Sequence, residues 1–172
     1  MQAVCDVLER LLSEGTLSRY AIGGATAAGF HGEPLATRDI DVFVFLDPAP
    51  GSFLVSLEPL LGRLAEWGFT EFDEEGLMIH GFPVQFLAAG PGLETEAVEH
   101  ASVLEWEGHK IRIMTAEYLA AIAIRTGRPK DRARLVYLAA LPGFDRNRFD
   151  EIALVHGLAK QAGEWFKALG LE

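Results

Sequence analysis

Apolar positions recur along this chain with two periods, and the switches between them predict its elements. Val4, Val7, Leu8, Leu11 and Leu12 fall at helical spacing, predicting an amphipathic helix over residues 3–13 that ends near Gly15. Residues 19–22 read as a short strand. After Gly23-Gly24, small residues from 25 to 30 predict a helix stopped by Gly32 and Pro34. Over residues 37–46 the period drops to two. Ile40, Val42, Val44 and Leu46 share one strand face, and Asp39, Asp41, Phe43 and Phe45 share the other.

Residues 47–51 (Asp-Pro-Ala-Pro-Gly) break the chain, and Leu54, Leu57, Leu60, Leu61, Leu64 and Trp67 predict a crossover helix over 52–67. A strand-rich meander follows, with strands at 69–72, 77–80 and 84–88 and a turn at 73–76. Residues 94–100 read as helix, and strands at 103–106 and 110–114 flank the turn 107–109. Thr115 is placed to cap a helix that runs to Thr126 and stops at Gly127. The last third reads as helical: 129–141 opened by Pro129, then residues capped by Asn147 and Asp150 through His156 and, past Gly157, to Leu169. This order predicts an α/β (α+β) fold, a mixed sheet flanked by helices with a small C-terminal helical tail. The expected division is a core over 1–115 and a helical region over 116–172 packed on it as one compact unit.

Composition narrows the classes. Hydrophobic residues are 49% and charged ones 23%, which suits a globular chain and excludes a disordered one. Apolar runs fall short of the roughly 18 residues of a membrane span, and residues 1–6 carry no basic start leading into an apolar stretch, so a cytoplasmic protein without membrane attachment is expected. Cys5 is a single cysteine, leaving neither an internal disulfide nor a cysteine zinc site. The five histidines lack ligand spacing.

The net charge of −10 argues against general binding to DNA or long RNA, whose phosphates it would repel. Positive charge is nevertheless concentrated. Arg125, Arg128, Lys130, Arg132 and Arg134 lie within ten residues that include one acid, Asp131.

Candidate chemistry starts at the aspartates. On one strand face their Cα atoms would lie roughly 6.6 Å apart, two steps of about 3.3 Å, so both carboxylates can converge on one divalent cation. Two unneutralised acids side by side are otherwise costly, so the pair asks for a metal.

Gly23-Gly24 followed by Asp39-Ile-Asp41 on the next strand resembles the signature of the nucleotidyltransferase superfamily related to DNA polymerase beta. Pro83-Val-Gln-Phe-Leu87, Ile111-Arg-Ile-Met114 leading into Ala116-Glu-Tyr-Leu-Ala, and Gly127-Arg-Pro-Lys-Asp131 are similar, in order, to the small branch that includes AbiEii-type toxins. Together these pieces cover residues 19–138. The resemblance implies transfer of a nucleoside monophosphate from a nucleoside triphosphate to a hydroxyl, with release of pyrophosphate. It implies Mg²⁺ or Mn²⁺ held by Asp39 and Asp41, and phosphates held by Gly23, Gly24 and Thr26 at a helix start. Lys130 and Arg128 are expected beside the triphosphate, where they would stabilise charge spreading over the phosphates. Arg132 and Arg134 are expected on a solvated helix face. The acceptor is left open among a small molecule, a protein side chain and an RNA end.

One position departs from the pattern. The superfamily commonly supplies a third carboxylate from a later strand, and the matching residue here is Gln85. An amide cannot take a proton from the acceptor, although its carbonyl can ligate a cation. The loop acids Glu71, Asp73, Glu74 and Glu75 would substitute only by folding over the site, and a glutamine buried against backbone is the bland reading. A second expectation follows: a catalytically degenerate member that binds nucleotide or a protein partner without turnover.

Overall fold

The computed structural model describes residues 1–32, 36–46 and 56–171. Among these, six strands form one mixed sheet. They are β1 (Arg19–Ile22), β2 (Ile40–Phe45), β3 (Leu77–Ile79), β4 (Phe82–Ala88), β5 (Ser102–Trp106) and β6 (His109–Ile113). Their spatial order is β3-β4-β2-β1-β6-β5, so β2 and β1 occupy the middle. β1 pairs antiparallel with β2 and parallel with β6, while β2 pairs parallel with β4; β3 and β5 are antiparallel edges. A central strand bonded on both sides is the least mobile place in a sheet to mount a side chain. The period-two pattern of β2 is obeyed: Ile40, Val42 and Val44 are buried, and Asp41, Phe43 and Phe45 stay partly open.

The helices are α1 (Gln2–Ser13), α2 (Gly24–His31), α3 (Glu58–Glu66), α4 (Leu93–Glu99), α5 (Ala116–Thr126), α6 (Pro129–Ala139), α7 (Arg146–Val155) and α8 (Ala159–Leu169). The leucine and valine stripe of α1 is buried and packs on β6 and β1. Alanine and isoleucine give α5 an almost entirely buried surface, and it touches α2, α4, α6, α7 and α8, so the last helices hang from it. Phe149 and Phe166, with ring centroids 5.2 Å apart, seal α7 against α8.

Several expectations shift. The helix expected over 52–67 is observed as Glu58–Glu66; residues 52–55, the break at 47–51 and the stop at Pro34 lie outside the described residues. The strand expected at 69–72 reduces to a single bridge between Phe72 and Leu77, because Asp73 turns the chain by accepting the amides of Glu75 and Gly76. Asn147 does not cap α7. Asp145 does, accepting the Arg148 amide at 3.1 Å. Gly157, at φ +69, ends α7 and starts a separate helix. Thr115 precedes α5 as expected, yet its hydroxyl makes no cap bond and is buried without a partner among the described residues.

Candidate active site

Asp39, just before β2, and Asp41, within it, stand at the end of the sheet where the glycine turn leaves β1. The Gly23 amide donates to the Asp41 carbonyl at 2.8 Å, which ties the turn to β2. Gly24 follows at φ +60, opening α2. That conformation favours glycine, and contact makes it obligatory: a Cβ there would overlap Asp41 Oδ2 and lie 2.8 Å from Asp41 Cγ. The first amides of α2 have no partner within the helix, so the turn presents donors beside the carboxylate. Thr26 Oγ1 donates to the Asp39 carbonyl at 3.3 Å and Thr37 Oγ1 to Asp39 Oδ1 at 2.8 Å, so both hydroxyls brace Asp39.

Both aspartates are partly buried. Burial raises the Asp41 carboxyl above the ordinary carboxylate range and the neighbouring charge of Asp39 adds to this, while Arg134, Lys130 and Arg128 pull it back. The acids and the basic segment therefore meet in space. Among the described residues no third Asp, Glu, His or Cys completes a metal-binding cluster with the pair.

The cations are held by a residue that sequence reading treated only as part of a motif. Asp131, in the first turn of α6, is fully buried. It accepts Arg128 Nε at 2.8 Å, Arg128 Nη2 at 3.2 Å and the Arg128 amide at 3.1 Å. Arg134 Nη1 reaches the same carboxylate at 3.4 Å. That bonding to Asp131 raises the Arg128 pKa, fixing its charge. Arg134 is not solvated as expected: its side chain is 14% exposed, against 51% for Arg128. Its position four residues after Lys130, on one helix face, was the signal that could have found it. Arg132 does lie on the exposed face, its guanidinium 4.9 Å from the Trp165 ring centroid.

Two clefts meet at this cluster. The larger, about 460 Å³, is lined by Thr37, Arg38, Asp39, Glu75, Lys130 and Arg134 among others. The smaller, about 220 Å³, is lined by Gly24, Asp41, Gln85, Glu94, Arg128 and again Arg134. Gln85 pairs in register with Asp41 on the adjacent strand. It is exposed, not buried against backbone, and its side chain bonds no other described residue. Of the four loop acids Glu75 alone lines either cleft. Glu94, with no sequence signal, enters from α4 and is ion-paired to Arg125, which removes Arg125 from the free cations.

No protein-family profile matches the sequence, and no curated protein does. Solved structures do. An antigenic nucleotidyltransferase-like protein from Paracoccidioides brasiliensis superposes with a TM-score of 0.54 at 16% identity, covering 99% of this chain and 92% of its own. The solution structure of the antibiotic-resistance factor ANT(2'')-Ia gives 0.50 at 16% identity, covering 99% and 97%. The chain thus has a nucleotidyltransferase-like fold.

Proposed function

We propose that this chain transfers a nucleoside monophosphate from a nucleoside triphosphate to a hydroxyl, releasing pyrophosphate. The observation that carries this reading is the convergence of Asp39 and Asp41 with Arg128, Lys130 and Arg134 at the glycine turn that opens α2. Two carboxylates suit Mg²⁺ or Mn²⁺, since a hard cation takes oxygen ligands and Mg²⁺ sites use one or two carboxylates plus water and substrate phosphates. The raised carboxyl of Asp41 fits this donor set, because a buried like-charged pair gains from a bound cation. When bound, such an ion neutralises phosphate charge and orients the reacting phosphorus. The rest falls to the chain. The α2 amides beside Gly24 donate to phosphate oxygens, Lys130 and Arg134 neutralise the triphosphate from the larger cleft, and Arg128 stabilises the charge that shifts to the leaving pyrophosphate.

A second reading is specifically favoured by Gln85, which stands opposite Asp41 where a proton-accepting carboxylate would serve. On it, the chain binds nucleotide, or a protein partner, without turnover. The Lys130-Asp131 pair supports placing the chain near the AbiEii-like branch on either reading. Equilibrium binding of each triphosphate with Mg²⁺ or Mn²⁺, followed by label transfer in cell extract, separates the two. Transfer with pyrophosphate release supports the enzyme, metal-dependent binding with no transfer supports the nucleotide binder, and absence of triphosphate binding sinks both of these, leaving the protein-partner form of the second reading.

A further inference from the structure

The smaller cleft combines an apolar slot with an unusual set of polar groups. Phe43 from β2, Leu87 from β4, Met114 beyond β6, and Leu119 and Ile122 from α5 form its apolar walls. At about 220 Å³ it is smaller than the roughly 300–1,000 Å³ of sites for drug-sized ligands, a size for one ring and its substituents. A polyhydroxylated, polycationic acceptor would leave hydroxyls unpaired against these walls and meet Arg128 and Arg134.

Among the described residues that line the slot, none is free to deprotonate an alcohol. Asp41 belongs to the proposed metal pair, Glu94 is bonded to Arg125, and residue 85 is an amide. With no side chain there to take the proton, the acceptor's own acidity weighs heavily on the rate. An aliphatic hydroxyl ionises far above the range of a phenol, which ionises near 10. At pH 8 about one phenol in a hundred is already the anion, a fraction orders of magnitude above that of an alcohol.

On the nucleotidyltransferase reading above, we propose that the acceptor is a phenolic hydroxyl, its ring seated among Phe43, Leu87, Met114, Leu119 and Ile122 and its oxygen facing Gln85. The proton leaves to solvent first. The phenolate oxygen then bonds the α-phosphorus while the bond from that phosphorus to the α–β bridging oxygen breaks, and pyrophosphate departs with the electron pair. The Gln85 NH₂ donates to the phenolate, which a carboxylate at that position would repel.

The test uses the whole chain with Mg²⁺ and each of the four ribonucleoside triphosphates, with triphosphate binding measured first by equilibrium dialysis. Acceptors are 4-fluorophenol, N-acetyltyrosinamide and a tyrosyl peptide, against cyclohexanol and N-acetylserinamide; pyrophosphate release and adduct mass are read. Phenols are expected to exceed the aliphatic alcohols at least tenfold in rate at pH 8. Gln85→Asp is expected to lower that ratio at least tenfold by repelling phenolate and supplying alcohols with a base. Adducts confined to the peptide identify a protein tyrosine as the acceptor; adducts on the free phenols identify a small molecule. A wild type that binds triphosphate but favours alcohols, treats both classes alike or labels neither overturns the phenolic acceptor and leaves nucleotide binding standing. A wild type that binds no triphosphate removes the underlying reading as well.

Discussion

The carboxylate of Asp41 lies against the Cα of Gly24, two residues that reach the site from different elements and leave no room for a side chain between them. Gly24→Ala must therefore both hold a left-handed backbone and push Asp41 aside. The strain alone costs about 1–2 kcal/mol. Triphosphate affinity is expected to fall at least tenfold beyond what the melting temperature implies, because the displaced group is a proposed metal ligand. Adding Asp41→Ala should recover much of the stability and none of the binding. Additive stability losses would mean that the two residues do not clash.

Removing either acid should separate binding from stability. Asp41 has its pKa raised in the fold, so its contribution to stability is fully present below its unfolded value near 4 and is lost as pH rises through the folded value. Without metal, Asp41→Asn is thus expected to match wild type at acid pH and to melt higher at pH 8, by roughly 2–4 °C for each kcal/mol of charge burial and repulsion relieved. Both Asp39→Asn and Asp41→Asn should abolish metal-dependent triphosphate binding. Melting curves across pH, with and without Mg²⁺, check both statements, and a wild type that is the more stable at pH 8 without metal would contradict the first.

Asp131 is a positioning residue, bonded to Arg128 and Arg134. Asp131→Asn keeps the shape but weakens charge-assisted bonds, at an expected stability cost of about 1–3 kcal/mol. The binding constant for triphosphate should weaken several-fold, with a flatter dependence on salt as the arginines lose their fixed aim. Stability lost with triphosphate binding untouched would reduce Asp131 to a fold residue.

Arg134 and Arg132 are two residues apart and face different surroundings. Arg134→Ala is expected to cost at least tenfold in triphosphate affinity, whereas Arg132→Ala, losing a contact to Trp165, should leave that affinity unchanged. Isothermal titration of both variants decides it, and equal losses would return the basic segment to a general electrostatic role.

What was legible in the sequence followed period and punctuation. The alternation across residues 40–45 and the glycines at 23–24 placed β2, the turn and both aspartates, because strand alternation and backbone freedom are local properties. Arg134 was missed because helix exposure depends on what packs opposite, and Tyr137, donating to the Ala28 carbonyl of α2, marks the face of α6 that packs there. The clash that makes Gly24 indispensable joins residues 24 and 41 and has no trace in either stretch alone. Glu94 was unreadable for the same reason: only the packing of α4 against β2 and α5 brings it to Arg125 and the cleft. The weak strand expected at 69–72 failed because the Asp73 side chain competes for the amides that would have extended the turn into a ladder.

The order in which the site's parts occur along the chain gives its synthesis a direction. Asp39 and Asp41 leave the ribosome about ninety residues ahead of Arg134, which at about 5–20 residues per second is roughly 5–20 s. Through that interval β2 can pair with β1 and then β4, but the basic helix does not yet exist to oppose the acids. The nascent sheet therefore carries an unscreened pair of acids at one end of β2, open to any cation in its surroundings, until α6 emerges and docks.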